Sequence, residues 1–211
     1  MELDLLVYLS AMNESEKRAM AMFRKHGGVL RTKDALAAGI HPRTLYALRD
    51  EGSIEVLSRG IYRLASAAPF AHPDLVAVAL RAPKGVICLI SALAFHELTT
   101  EIPHEVYLAV ARGTEPPRID FPPVRAFWFG GDAFSEGVET HRFGGVPVRI
   151  YCREKTVVDC FYFRNKIGLD VFLECLRTYK LQRKRDVDAL LRFAAIRRVA
   201  GTIRPYLEAI L

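Results

Sequence analysis

The sequence lacks any long hydrophobic run. Its longest uncharged apolar stretch, residues 85–95 (GVICLISALAF), is too short to span a bilayer and reads as a buried helix. The opening MELDLLVYL carries Glu2 and Asp4 where a secretory leader needs a basic segment, so a cytoplasmic location is expected. Cysteine is scarce: Cys88, Cys152, Cys160 and Cys175 stand in apolar surroundings without a C-x-x-C pair, which favours reduced core thiols over disulfides or zinc. Catalytic signatures are missing as well. There is no G-x-S-x-G, Walker A or G-x-G-x-x-G, and His96, His104 and His141 lack H-E-x-x-H spacing. Asp120 and Glu139 with His141 can be forced into a nuclease-like acidic pair, but no Lys stands two residues after the Glu. Ser91 has no evident base, and Lys155 and Asp159, four apart on one helix, read as a structural ion pair. A non-enzymatic protein with no cofactor or metal is expected.

What is present is ordinary globular material. The 211 residues are 51% hydrophobic and 26% charged, which excludes disorder and allows one or two domains with a real core. The net charge of +6 is unevenly spread. Residues 16–64 hold ten Lys/Arg against five Asp/Glu, while the rest of the chain holds 20 against 19. Nearly the whole surplus therefore sits in one short module, the footprint of a polyanion partner.

That module also has a legible order. Residues 14–26 place Ala19, Met22 and Phe23 at helical spacing and stop at Gly27-Gly28. Thr32 reads as the cap of a short helix over 33–38, closed by Gly39. Residues 39–52 (GIHPRTLYALRDEG) mark a further helix with Pro42 at its first turn and Gly52 at its end. Runs 54–57 and 61–64 form a hairpin across Ser58-Arg59-Gly60. Helix, helix–turn–helix, hairpin is the order of a winged helix–turn–helix. The marked helix, too short to stand alone in water, can rest on two others and enter a groove. On a helical wheel Leu45 and Leu48 point inward, Arg43, Ala47 and Asp50 outward, and Thr44 and Tyr46 lie on the flanks.

Arg43, Thr44 and Ala47 at the front of that helix are the candidate base readers. Thr32 and Lys33 at a helix N-terminus are candidate phosphate contacts, as are Arg59 on the hairpin tip and Arg63 on its return strand. His41 either caps its helix or fills the turn, and is kept with the contact set. Tyr46 and Tyr62 read as packing residues, and Arg49 as a stem over apolar surface with its head free.

The small-residue connector 65–72 (ASAAPFAH) places a domain boundary, giving 1–66 as the winged helix and 70–211 as a second domain. In the second, helices are expected over 74–81 and 86–98, strands over 105–111 and 124–129, a hairpin over 139–143 and 146–151, then helices to the end. Strands followed by helices imply an α+β fold. The helix from Lys155, apolar almost all round, reads as a central core helix or an interface. A second basic patch (Lys180, Arg183, Lys184, Arg185, Arg197, Arg198) fits either a solvated face or an extended nucleic-acid contact.

The run GGVLRTKDALAAGIHPRTLYALRDEGSIEVLSRGIYRL resembles the N-terminal winged helix of AbiEi-type antitoxins of type IV toxin–antitoxin (abortive infection) systems. The blocks LISALAFHELTTEIPHEVYLAV, GVPVRIYCREKTVVDCFYFRNKIG and LDVFLECLR are similar to the C-terminal region of the same family. His41 departs from the Ser or Thr cap usual there. The resemblance implies a bacterial antitoxin that represses its own operon by binding promoter inverted repeats; two copies on such a repeat would make a homodimer on DNA, an oligomeric state the sequence leaves open. It implies a nucleotidyltransferase-like toxin as functional partner, with no direct contact required. It puts DNA reading on Arg43, Thr44, Ala47 and Arg59. The alternative is a winged-helix regulator without a toxin partner, its C-terminal domain sensing a ligand or dimerising. An adjacent nucleotidyltransferase-like reading frame discriminates the two.

Overall fold

The first helix starts where Asn13 and Glu16 cap each other. The Asn13 side chain accepts from the Glu16 N–H at 2.9 Å, and the Glu16 carboxylate accepts from the Asn13 N–H at 2.9 Å. The computed structural model describes residues 13–211, so the leader reading of residues 1–9 lies outside the described residues. Contacts divide the chain into two compact units, one of Met1–Leu80 with Arg142–Pro147 and one of Arg81–His141 with Val148–Leu211. The units therefore part beyond the connector 65–72.

In the first unit α1 (Glu14–Lys25) is followed by β1 (Val29–Arg31), α2 (Thr32–Ala37), α3 (Pro42–Asp50), β2 (Ile54–Ser58), β3 (Ile61–Leu64) and α4 (Pro73–Arg81). The sheet runs β1-β3-β2, antiparallel throughout, with Val29 opposite Arg63 and Ile54 opposite Leu64. A bulge at Val56/Ser58 bends the hairpin. Ala19, Phe23, Leu45, Leu48, Ile54 and Tyr62 meet in one apolar core. Gly27, at φ +70°, leaves no room for a side chain: a Cβ there would lie 2.5 Å from the Gly144 carbonyl oxygen.

The second unit contains β4 (Val86–Ile87), α5 (Leu89–Phe95), β5 (Val106–Ala111), β6 (Val124–Phe129), α6 (Asp132–Ser135), β7 (Val138–Phe143) and β8 (Val146–Tyr151). Helices α7 (Arg153–Tyr162), α8 (Arg164–Ile167), α9 (Leu169–Leu181), α10 (Val187–Ile196) and α11 (Ala200–Ile210) complete it. The five-stranded sheet is mixed, in the order β6-β5-β4-β8-β7. The tip of the β7–β8 hairpin, Arg142–Pro147, belongs to the first unit. The fold class is α+β, a winged helix–turn–helix followed by a mixed sheet and helices.

Two sequence expectations need correction. The apolar run from Val86 begins as a strand: β4 sits centrally, antiparallel to β5 and parallel to β8 through Ile87 and Ile150, and the helix opens only at Leu89. Periodicity cannot separate a short buried strand from a buried helix. Helix α2 is capped by Arg31 without a side-chain bond, so Thr32 is its first residue and not its cap. Helix α7 is a core helix, with Val157, Val158, Cys160 and Phe161 at most 1% exposed. The cysteines are free; burial pushes the Cys152 thiol up to about 11 and raises those of Cys88 and Cys160 as well.

Candidate nucleic-acid interface

Helix α3 is pinned at its start by His41, whose Nδ1 accepts the Arg43 N–H at 3.2 Å, with Pro42 in the first turn. His41 thus replaces the usual Ser or Thr cap without losing its bond. Leu45 and Leu48, 1% and 0% exposed, fix the inward face. Arg43 therefore stands exposed on the outside and Ala47 half-exposed one turn on. Thr44 is half-buried, its hydroxyl 2.9 Å from that of Ser15 on α1, so that hydroxyl is already used.

Two flanking residues differ from expectation. Tyr46 is 47% exposed, with the Arg49 guanidinium 5.2 Å above its ring; Tyr62, at 7%, is the packed tyrosine. The head of Arg49 is held by Asp50 at 2.7 Å, and that hydrogen bond raises its pKa further. Asp50 thereby loses much of its repulsion toward phosphate. The wheel put Tyr46 on a flank, which was the signal for an outward ring.

The wing carries Arg59 exposed at its turn beside Gly60. The backbone N–H and the hydroxyl of Thr32 both donate to the Gly60 carbonyl, at 2.9 and 3.2 Å. Thr32 thus ties α2 to the wing, and its N–H is not open to a phosphate. Lys33 beside it is exposed. Arg63 pairs with Glu55, donates to the Ala68 carbonyl at 3.2 Å and lies 5.6 Å from the Phe70 ring centre. It is a tether of the return strand more than a contact. Four basic groups of the module, Lys17, Arg31, Arg49 and Arg63, pair with Glu14, Asp34, Asp50 and Glu55. Arg43, Lys33, Arg24 and Lys25 make no ion pair with a described residue. Arg18, passed over in the sequence, donates to the Ala38 carbonyl at 3.1 Å and fastens α1 to the turn before α3.

The second basic patch is smaller than its sequence suggests. Lys180 in the last turn of α9, and Arg183, Lys184 and Arg185 between α9 and α10, are exposed. Arg197 does not join them: it is 8% exposed, with its Nε 2.5 Å from Asp159 Oδ1, because the C-terminal end of α10 turns it inward. Lys155 donates to the other oxygen of Asp159 at 2.6 Å, so the expected ion pair has a third member. Ser91 accepts the Tyr107 N–H at 2.9 Å, a structural bond. Glu139 is spent on His141 at 3.2 Å, and among the described residues no group of three or more His, Cys, Asp or Glu is placed to hold a metal. No helix of the described residues is long and apolar enough to cross a membrane.

Helices α1–α3, the three-stranded sheet and an outward basic helix front make a winged helix–turn–helix within the first unit, the class that seats a helix in a DNA groove. Residues 17–65 match the family model described as transcriptional regulator, AbiEi antitoxin. A transcriptional-regulator family implies binding to DNA. The fold is similar to the crystal structure of the RV2827C protein from Mycobacterium tuberculosis, with a TM-score of 0.58 at 12% identity over 87% of this chain and 72% of that chain. No curated protein matches the chain.

Proposed function

We propose that this protein is a cytoplasmic, non-enzymatic autorepressor and antitoxin of a type IV toxin–antitoxin system, opposing a nucleotidyltransferase-like toxin. Residues 1–66 bind the promoter and residues 70–211 carry the antitoxin function. The observation that supports it is the outward face of α3: Arg43 exposed and in no ion pair with a described residue, Ala47 one turn on, and Leu45 and Leu48 locking the helix from behind. The Arg43 guanidinium suits guanine bidentately and the Ala47 methyl suits a thymine methyl. Lys33 and Arg59 supply phosphate contacts beside them, His41 and Thr44 set the helix front, and Thr32 and Arg63 act through the wing. Lys180, Arg183, Lys184 and Arg185 extend the contact on the second unit, with Arg198 nearby in sequence.

Two copies on an inverted repeat, each touching about five phosphates, give a slope of log K against log salt near −9. Promoter binding that ignores salt overturns the interface. For the antitoxin part, an adjacent reading frame of nucleotidyltransferase type is expected to arrest growth when expressed alone, and the full chain to relieve it. A second reading, a regulator without toxin that senses a ligand, is favoured by one observation, an arginine-lined cavity in the second unit; arrest that the full chain never relieves would select it.

A further inference from the structure

Beside α6 the second unit has a cavity of ≈ 910 Å³, open to solvent on one side and within the size range of small-ligand sites. Arg112, Arg197 and Arg198 line it, and Asp132 is its one acid. The Arg197 guanidinium is stacked in the wall, 4.0 Å from the Phe129 ring centre and 4.7 Å from that of Tyr162. Its Nε is committed to Asp159, but its buried Nη2 has no hydrogen-bond partner. A buried guanidinium N–H without an acceptor is costly, and this one belongs to a side chain that lines the cavity. Behind it Lys155 and Arg197 share the single carboxylate of Asp159, so this buried cluster has more cations than anions when Lys155 is protonated. Arg112 and Arg198 make no ion pair with a described residue.

The position of Arg198 is independent of the charge count. Helix α10 ends in a Schellman motif, with Val199 N–H to Ala194 O and Arg198 N–H to Ala195 O, both at 2.9 Å. Arg198 occupies the left-handed position at φ +56°, where glycine is the usual residue. The chain thus holds a guanidinium at the cavity in a backbone conformation that disfavours it.

We infer that this cavity binds the phosphate of a nucleotide, with Arg112, Arg197 and Arg198 around the phosphate and the base against Tyr162. Arginine forks match phosphate oxygens. The volume exceeds what a bare phosphate fills, and the Tyr162 ring, 41% exposed, offers a stacking face. Asp132 suits a ribose hydroxyl as acceptor. The nucleotide is either free or the phosphorylated end of a strand, and the chemistry is the same.

The test is calorimetric titration of the full chain with AMP, GMP and UMP, with a 5′-phosphorylated 12-nucleotide RNA, and with adenosine and inorganic phosphate as controls. Saturable binding by a mononucleotide or by the phosphorylated strand, at least tenfold tighter than either control, is expected, and whichever is tighter identifies the source. Arg198→Gly, which suits the left-handed backbone and so keeps the fold, and Arg112→Ala should each weaken binding at least tenfold. No saturation by any nucleotide at millimolar concentration, equal binding of adenosine or phosphate, or unchanged affinity in both variants overturns the inference. Promoter binding by the Arg112→Ala variant should be unchanged, which separates failure here from failure of the DNA-binding reading.

Discussion

The two units handle charge in opposite ways. The winged helix keeps most of its charges accessible: the Arg31–Asp34 and Arg49–Asp50 pairs face solvent, and its described core cluster is built of apolar groups and tyrosine. The second unit draws charge inward: the side chains of Lys155, Asp159 and Arg197 are 1%, 1% and 6% exposed, surrounded by Phe129, Tyr151 and Tyr162. An exposed pair contributes little to stability because water and salt screen it. A buried cluster is different: its net contribution is small while intact, but removing one partner strands the others. The first arrangement leaves cations available to a polyanion, and the second fixes cations beside a cavity.

The largest expected effect tests that contrast directly. Asp159→Ala should destabilise the protein by about 3–5 kcal/mol, since it removes a carboxylate bonded to both buried cations. Burial already pushes the Lys155 pKa down, so this lysine would shed its proton first and leave Arg197 with the larger share of the cost. Asp50→Ala, breaking an exposed pair, should shift stability by less than about 0.5 kcal/mol. Urea unfolding of both variants decides; similar losses would erase the distinction. Next in size is Arg43→Ala, which should weaken operator binding by about 1–3 kcal/mol and relax preference at one base pair, with stability unaltered. An unchanged footprint at unchanged affinity removes Arg43 from the reading role.

How much of this could be read in the sequence follows from the same contrast. The winged helix was legible because its punctuation is local: Gly39, Pro42 and Gly52 bracket α3, and Leu45 and Leu48 orient it. The charge surplus was legible as a total but not in its partners. Arg63 looked like a wing contact, and only the fold brings Glu55 and the Ala68 carbonyl to it. Strands β1 and β4 were missed because three and two residues are too few for alternation to register. In the second unit the sequence groups Arg197 with a surface cluster, since it shows charge and not burial. Its partner Asp159 lies 38 positions away, and no local pattern joins them.

Smaller effects probe the edges of each unit. His41→Ala should cost about 0.5–2 kcal/mol by leaving the Arg43 N–H without its cap, and His41→Ser should recover most of it. Equal loss in both variants would mean that His41 acts through its ring and not as a cap. The corresponding test in the second unit is Glu174, whose Oε1 accepts from the Thr100 N–H at 2.8 Å, the Thr100 hydroxyl at 3.0 Å and the Thr99 hydroxyl at 3.2 Å. These bonds, the Thr100 N–H first, hold its carboxyl below the ordinary value of 4.5. A depressed carboxylate adds stability that is full above the unfolded-state value and is lost as pH falls through the folded one. Wild type should therefore exceed Glu174→Gln in urea midpoint at pH 7, and the gap should narrow below about pH 4.5. The group is half-buried and bonded to hydroxyls and one N–H, with no cation beside it among the described residues, so the gap is expected to be small. A gap that stays constant down to pH 3 would show that the threonines bond the glutamine amide as well as the carboxylate.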